Sequence, residues 1–154
     1  MTPATLYADA QMYAELATFG CTHVEQGGIL LGHAGPYGIH VSEYTTPGPL
    51  DVQAQGMILL ADPKHEQRLN DSGLAYLGFW HSHPAGTPSE PSLEDLESWQ
   101  GIARAMLTQQ PSVPCLLFPI ITGDRIRVWR VDRTPDLEAL PLTEVTTWTQ
   151  VTPS

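Results

Sequence analysis

Residues 74–95 read LAYLGFWHSHPAGTPSEPSLED, and the fold is organised around this stretch. The apolar and aromatic run from Leu74 to His83 predicts a central strand. Pro84 cannot continue a strand ladder, so it opens a proline-rich loop. A helix is predicted over Ser92–Gln110, because Ser92 and Asp95 have the spacing of a capping box.

Two histidines close this strand and suggest a metal site. His81 and His83 are two residues apart, so both side chains point to the same face. Imidazole binds zinc, iron, copper or nickel, although an isolated pair is also common as buried structural histidines. The seven-residue loop 85–91 lets the first helical turn fold back and bring Asp95 to the pair. Two His and one Asp leave one tetrahedral position of zinc open for water, as in catalytic sites.

A zinc hydrolase also needs a general base, and several glutamates are candidates. Glu25 precedes the glycine-rich strand Gly27–Gly32, where it could instead be a solvated residue at a strand start. Glu90, Glu94 and Glu97 lie close to Asp95 in sequence. Spacing alone does not choose among these carboxylates.

The remaining elements follow from periodicity and turn residues. They are a helix at Thr5–Phe19, a hairpin at Gly27–His33 and Ile39–Tyr44, a strand at Met57–Leu60, a helix at Pro63–Asn70, and a hairpin at Val113–Thr122 and Arg125–Val131 that turns at Gly123-Asp124. Pro119 indicates a kink or an edge position in the second hairpin. Residues 50–56 and 134–154 are polar and match no pattern.

The composition is that of a globular protein. The chain has 154 residues with 42% hydrophobic content, so we expect one domain over residues 1–154. The net charge of -10 disfavours nucleic acid as a partner. Cys21 and Cys115 form no CxxC motif and suit two buried free thiols in a reducing compartment. No stretch approaches the ~18 apolar residues that cross a bilayer, and no signal peptide is visible, so we expect a cytoplasmic protein without a membrane partner.

Two pieces of the sequence match a known family. His81-Ser82-His83-Pro84, with Ser92 and Asp95, resembles the JAMM motif of the MPN/JAB metalloproteases, His-x-His-Pro-x(7)-Ser-x(2)-Asp. The segment EQGGILLG from Glu25 to Gly32 resembles that family's glutamate-bearing strand. The chain looks like the compact prokaryotic JAB type. This resemblance implies a three-layer α/β fold of the cytidine-deaminase-like kind, with a mixed β-sheet flanked by helices.

The resemblance also implies a role for each motif residue. His81, His83 and Asp95 would bind zinc, which lowers the pKa of a water and polarises the scissile carbonyl. Glu25 would be the general base and then the acid that protonates the leaving amine. Ser92 would donate a hydrogen bond to the developing oxyanion. The bond cut would follow the C-terminal glycine of ubiquitin or a ubiquitin-like protein.

The sequence constrains the substrate and the partners less than it constrains the site residues. Prokaryotic members often act beside ubiquitin-activating-like and ubiquitin-conjugating-like enzymes, including in antiphage conjugation systems, so enzymes of the same operon are the expected partners. A metabolic amide hydrolase acting on a sulfur-carrier–amino-acid conjugate and a non-catalytic MPN scaffold are the alternatives. An extended substrate tail would pair with a strand edge, and residues 50–56 and 85–91 are expected to line its groove.

Overall fold

The computed structural model describes residues 3–21, 24–54, 57–84, 86–123 and 125–152, without the side chains of residues 21 and 53–59. The strands are β1 (Thr5–Asp9), β2 (Gly27–Gly35), β3 (Gly38–Tyr44), β4 (Val52–Ala54), β5 (Met57–Leu59), β6 (Ala75–Ser82), β7 (Cys115–Thr122), β8 (Arg125–Asp132), β9 (Leu142–Val145) and β10 (Thr149–Val151). The helices are α1 (Ala10–Ala17), followed by a 3-10 helix (Thr18–Cys21), α2 (Lys64–Ser72) and α3 (Leu93–Gln109).

Eight of these strands form one mixed sheet with β6 in its interior. The order is β10-β1-β3-β2-β6-β7-β8-β9, and β4 and β5 pair separately. β6 runs antiparallel to β2 and parallel to β7. Residues 76–82 are all buried, because β6 has strands on both sides and helices on both faces. The predicted central strand is therefore confirmed.

Helices cover the sheet on both faces. Trp80 and His81 are consecutive in β6, so their side chains point to opposite faces. The Trp80 ring lies 4.8 Å from the ring of Phe19, in the 3-10 helix that extends α1. The His81 ring instead lies 6.2 Å from that of Trp99 in α3. The predicted three-layer α/β arrangement with a mixed sheet is thus confirmed.

The sheet is curled. Arg130 in β8 donates a hydrogen bond from Nη1 to the carbonyl oxygen of Ala4, at 3.0 Å, just before β1. Four strands separate β1 from β8 in the sheet order, so this contact requires the sheet to bend round. Its two halves therefore approach each other.

The helix predicted over Thr5–Phe19 is wrong in its first third, because residues 5–9 form β1. Leu6 and Ala8 are buried, and they alternate with the exposed residues Thr5 and Tyr7. β1 pairs in parallel with β3 and with β10. These partners come from distant parts of the chain, so local periodicity could not reveal them. The predicted helix begins only at Ala10.

Pro119 does not mark an edge position, because β7 lies between β6 and β8. Gly78 pairs with Leu117 and His81 pairs with Ile120, so Pro119 falls between two paired positions of β6 and β7. A residue without an N–H group can be accommodated there. The unassigned C-terminal segment supplies the outer strands β9 and β10.

Two expectations concern the cysteines and the membrane. Cys115 is a buried free thiol as predicted, and burial raises its pKa to about 12. Across the described ranges, no helix combines the length and the hydropathy that a bilayer span requires. The Cys21 side chain, His23 and the turn residue Asp124 lie outside the described residues.

Candidate metal centre

His81, His83 and Asp95 converge at the C-terminal end of β6. Their ligand atoms lie within 4.8 Å of one another. The two histidine Nε2 atoms are 3.1 Å apart. Asp95 Oδ1 lies 3.3 Å from His81 Nε2, and Asp95 Oδ2 lies 3.4 Å from His83 Nε2. Strand alternation places both imidazoles on one face, and the helix brings the carboxylate to them.

A capping box at the start of α3 fixes Asp95. The Asp95 N–H donates to Ser92 Oγ at 3.1 Å, and the Ser92 N–H donates to Asp95 Oδ2 at 2.9 Å. The capping box predicted from the sequence is confirmed. Burial opposes ionisation of Asp95, but hydrogen bonds with His81 and His83 outweigh it and hold the pKa of this carboxyl well below its usual range. Asp95 is therefore an anionic ligand candidate.

The orientation of His83 is set by a backbone carbonyl. His83 Nδ1 lies 2.6 Å from the carbonyl oxygen of Pro88. A carbonyl only accepts, so Nδ1 carries the proton and Nε2 faces the centre. Burial alone would lower the pKa of His83, but its bonds to Asp95 and Pro88 raise it overall. Binding of a metal ion would have to displace any proton on Nε2.

The donor set fits a zinc ion. Two imidazole nitrogens and one carboxylate are ligands that zinc accepts, and three protein ligands leave a fourth position open. His81 is buried against aromatic rings, with Phe79 at 5.7 Å and Trp99 at 6.2 Å between ring centroids. Its Nδ1 is buried and has no hydrogen-bond partner among the described residues. The ring is therefore held by packing, whereas the His83 ring is held by a hydrogen bond.

Glu25 lies beside this centre because β2 pairs with β6. Gly27 is paired with His81. The Ser82 N–H donates to the Gln26 carbonyl at 2.8 Å, and the Gln26 N–H donates to Ser82 Oγ at 2.9 Å. The pairing thus reaches the residue next to Glu25. Burial raises the pKa of Glu25, which also interacts electrostatically with both histidines and with Asp95.

The other carboxylates of the sequence analysis are placed differently. Glu90, Glu94 and Glu97 are exposed, and Glu90 interacts electrostatically with Arg127.

Ser92 is exposed, and its Oγ accepts a hydrogen bond from the Asp95 N–H. The cap therefore does not use the hydroxyl proton of Ser92, which stays available for donation. The substrate-tail groove expected along 50–56 and 85–91 stays a prediction, since residues 55, 56 and 85 lie outside the described residues.

Sequence reasoning missed two groups that support the centre. Strand alternation directs the Ser82 side chain away from the face of the two histidines, and its hydrogen bonds to Gln26 were not expected. Its position between two candidate ligands in the sequence was the available signal. The Pro88 carbonyl carries no sequence signal, because any residue has a carbonyl there.

Residues 9–132 match the family described as prokaryotic homologs of the JAB domain. This chain belongs to that family. The matched range contains Glu25, His81, His83, Ser92 and Asp95, so the candidate centre lies inside the JAB domain.

Two curated relatives and one solved structure resemble this JAB-family chain. The chain is 32% identical over 84 residues to the "CD-NTase/cGAS isopeptidase" of Escherichia coli (strain TW11681), covering 51% of this chain and 53% of the relative. It is 29% identical over 82 residues to the protein of that name from Vibrio cholerae serotype O1, covering 49% and 52%. The chain therefore spans about half the length of the curated relatives it matches. The solution structure of protein DSY2949 from Desulfitobacterium hafniense matches with a TM-score of 0.60 at 18% identity, covering 97% of this chain and 93% of that one, which shows a shared fold.

Proposed function

We propose that this JAB-family protein is a zinc-dependent isopeptidase or peptidase that cleaves after the C-terminal glycine of a ubiquitin-like protein. The observation that carries the proposal is the convergence of two histidine Nε2 atoms and the Asp95 carboxylate, with Glu25 beside them. A closed structural zinc site would need a fourth protein ligand. The isopeptidase names of the two relatives support this reaction class.

The residues of the chain would divide the reaction between them. Zinc, held by His81, His83 and Asp95, would supply Lewis-acid chemistry and a water of lowered pKa. Glu25 would take the proton of the attacking water and return it to the leaving amine, a role that its raised pKa favours. Ser92 would donate its hydroxyl proton in a hydrogen bond to the carbonyl oxygen as negative charge develops there.

The cellular setting is also a proposal. We place the protein in the cytoplasm, beside ubiquitin-activating-like and ubiquitin-conjugating-like enzymes of a bacterial antiphage system. Because the relatives are named for CD-NTase/cGAS, a conjugate between a ubiquitin-like protein and an enzyme of that class is the first substrate to test.

The test is cleavage of ubiquitin-like fusion proteins with and without a metal chelator. We expect cleavage after the terminal glycine, its loss on chelation and its return with added zinc. Glu25→Gln should still bind about one equivalent of zinc. The same variant should cleave at least about 100-fold more slowly, since it loses its general base. Glu97→Gln, which alters an exposed carboxylate of α3, is the matched control and should keep wild-type activity.

Each alternative has its own signature in this experiment. Full activity of Glu25→Gln, or a loss confined to Glu97→Gln, would show that the base is assigned wrongly. Cleavage of a sulfur-carrier–amino-acid conjugate but of no ubiquitin-like fusion would indicate the metabolic hydrolase. Substoichiometric zinc that added metal does not restore would indicate a non-catalytic scaffold.

A further inference from the structure

The loop that holds His83 is itself tied to β8, which is separated from β6 in the sheet by β7. Pro88 accepts the His83 Nδ1 hydrogen bond, and Ser89 directly follows it. Ser89 Oγ accepts a hydrogen bond of 3.1 Å from Nη1 of Arg127, in β8. The arginine therefore reaches to within one residue of the carbonyl that orients a candidate ligand.

Contacts on several sides hold the Arg127 side chain in place. Its Nε and Nη2 atoms both lie 2.8 Å from Glu144 Oε1 in β9. Its guanidinium carbon lies 4.9 Å from the ring centroid of Trp129. The side chain is 22% exposed, so water does not fully compete with these contacts. Nε and Nη2 of the guanidinium bind Glu144, and Nη1 donates to Ser89. A lysine ammonium could not reproduce this pair of contacts, because it lacks the planar fork of donors.

Trp129 connects Arg127 to the other histidine as well. The rings of Trp129 and Trp99 are 5.8 Å apart, and those of Trp99 and His81 are 6.2 Å apart. Trp99 and Trp129 are both buried. Arg127 thus packs on the aromatic layer behind His81 and also hydrogen-bonds the loop that orients His83.

We propose that Arg127, acting through Ser89, is a positioning residue for the metal centre. It fixes the segment 86–91 so that the Pro88 carbonyl keeps the proton on His83 Nδ1 and leaves Nε2 for the metal. Groups that orient a ligand in this way change metal affinity without touching the ion. The inference rests on the proposed zinc site, but on no assumption about the substrate.

The sharpest variant is Ser89→Ala, because it removes one hydroxyl from a loop and leaves the sheet intact. Zinc affinity is measured by competition with a chromogenic chelator, and the geometry of the centre is measured by the visible absorption of the Co²⁺-loaded protein. We expect Ser89→Ala and Arg127→Lys to weaken zinc binding about 5-fold, less than the ~10- to 100-fold loss typical of a group bonded directly to a ligand. The Co²⁺ spectrum should change in both variants.

Two controls separate positioning from general stability. Ser89→Thr keeps a hydroxyl and should retain wild-type zinc affinity. Arg68→Ala removes an exposed arginine that pairs with Glu43, away from the centre, and should also bind zinc normally.

Three outcomes would contradict the proposal in distinguishable ways. Wild-type zinc affinity and an unchanged Co²⁺ spectrum in Ser89→Ala and Arg127→Lys would overturn the role of Arg127 and leave the zinc site standing. Equal weakening in Arg68→Ala would show a non-specific effect, which also overturns it. Absence of zinc binding by the wild-type protein would remove the proposed function, and the inference with it.

Discussion

Asp95 serves two structures at once. Through its N–H and Oδ2 it completes the cap of α3, and through both carboxylate oxygens it faces the two histidines. The rotamer that caps the helix is therefore the rotamer that a metal ligand needs. An aspartate in a predicted capping box can therefore also be a metal ligand, because one rotamer serves both roles.

Gly28 shows how a single residue permits close packing on the sheet face opposite His81. A Cβ atom at Gly28 would lie 2.0 Å from the carbonyl oxygen of Thr45. That carbonyl also accepts a hydrogen bond of 2.9 Å from Trp80 Nε1. Gly28 therefore permits a close approach of the Thr45 backbone that a residue with a Cβ atom would block.

We expect Gly28→Ala to lower the free energy of unfolding by about 1–3 kcal/mol, because the backbone at Thr45 must move to admit a methyl group. Gly35→Ala is the matched control in the same strand, since an added Cβ there meets nothing within 4 Å. It should change stability by less than about 0.5 kcal/mol. Urea denaturation measures both, and equal effects of the two substitutions would contradict the close approach.

At the scale of elements, the start of α3 combines a structural and a chemical role. Ser92 caps the helix by accepting from Asp95, and its hydroxyl proton is proposed to reach the oxyanion. An acceptor alone is enough for the cap, whereas the oxyanion requires a donor. The two roles can therefore be separated by substitution.

We expect Ser92→Ala to destabilise the metal-free protein by about 1 kcal/mol, because it removes the cap. Ser92→Asp should keep the stability, since aspartate is an equally good cap. Both variants should lower kcat of the zinc-saturated protein by about 100-fold, because neither donates a hydrogen bond. Ser92→Thr, which keeps the hydroxyl, is the control. An unchanged kcat in Ser92→Ala would leave Ser92 as a cap and nothing more.

At the scale of the whole molecule, a buried polar network joins the segment after β3 to α2 and to the sheet. His65 Nδ1 lies 2.6 Å from Thr45 Oγ1, and His65 Nε2 lies 2.7 Å from Asp51 Oδ2. The Asp51 side chain is 1% exposed and also accepts from the N–H groups of Gly48 and Asp62. Burial opposes its ionisation, but these hydrogen bonds outweigh burial and lower the pKa of Asp51.

This lowered pKa predicts a loss of stability in acid. An unfolded aspartate titrates near pH ~3.9, and folded Asp51 titrates below that value. The unfolded chain therefore binds more protons as the pH falls below about 4, so the contribution of Asp51 is present above that range and is lost as the pH drops through the folded pKa.

We expect Asp51→Asn to cost about 2 kcal/mol at neutral pH, since hydrogen bonds to a charged group are lost. The difference from wild type should shrink below pH ~4 as Asp51 becomes protonated. Asp71→Asn, at an exposed position of α2, is the matched control and should follow the wild-type curve. Denaturation curves across pH measure this, and a difference that stays constant down to pH ~2 would be inconsistent with the ionised Asp51.

The sequence by itself determined the parts of this protein that depend on local spacing. The capping box at Ser92, the same-face placement of His81 and His83, and the central strand before them follow from periods of two and of three to four residues. The JAB family was also recognised from these motifs, and the match over residues 9–132 bears this out.

Only the tertiary structure decided the features that depend on contacts between residues far apart in the sequence. Residues 5–9 became a strand because β3 and β10 flank them. Among the candidate carboxylates, Glu25 is the one that antiparallel pairing with β6 brings beside the histidines. The link from Arg127 through Ser89 joins residues 38 positions apart. Local periodicity carries no information about such pairings, because they form only when the curled sheet brings its strands together.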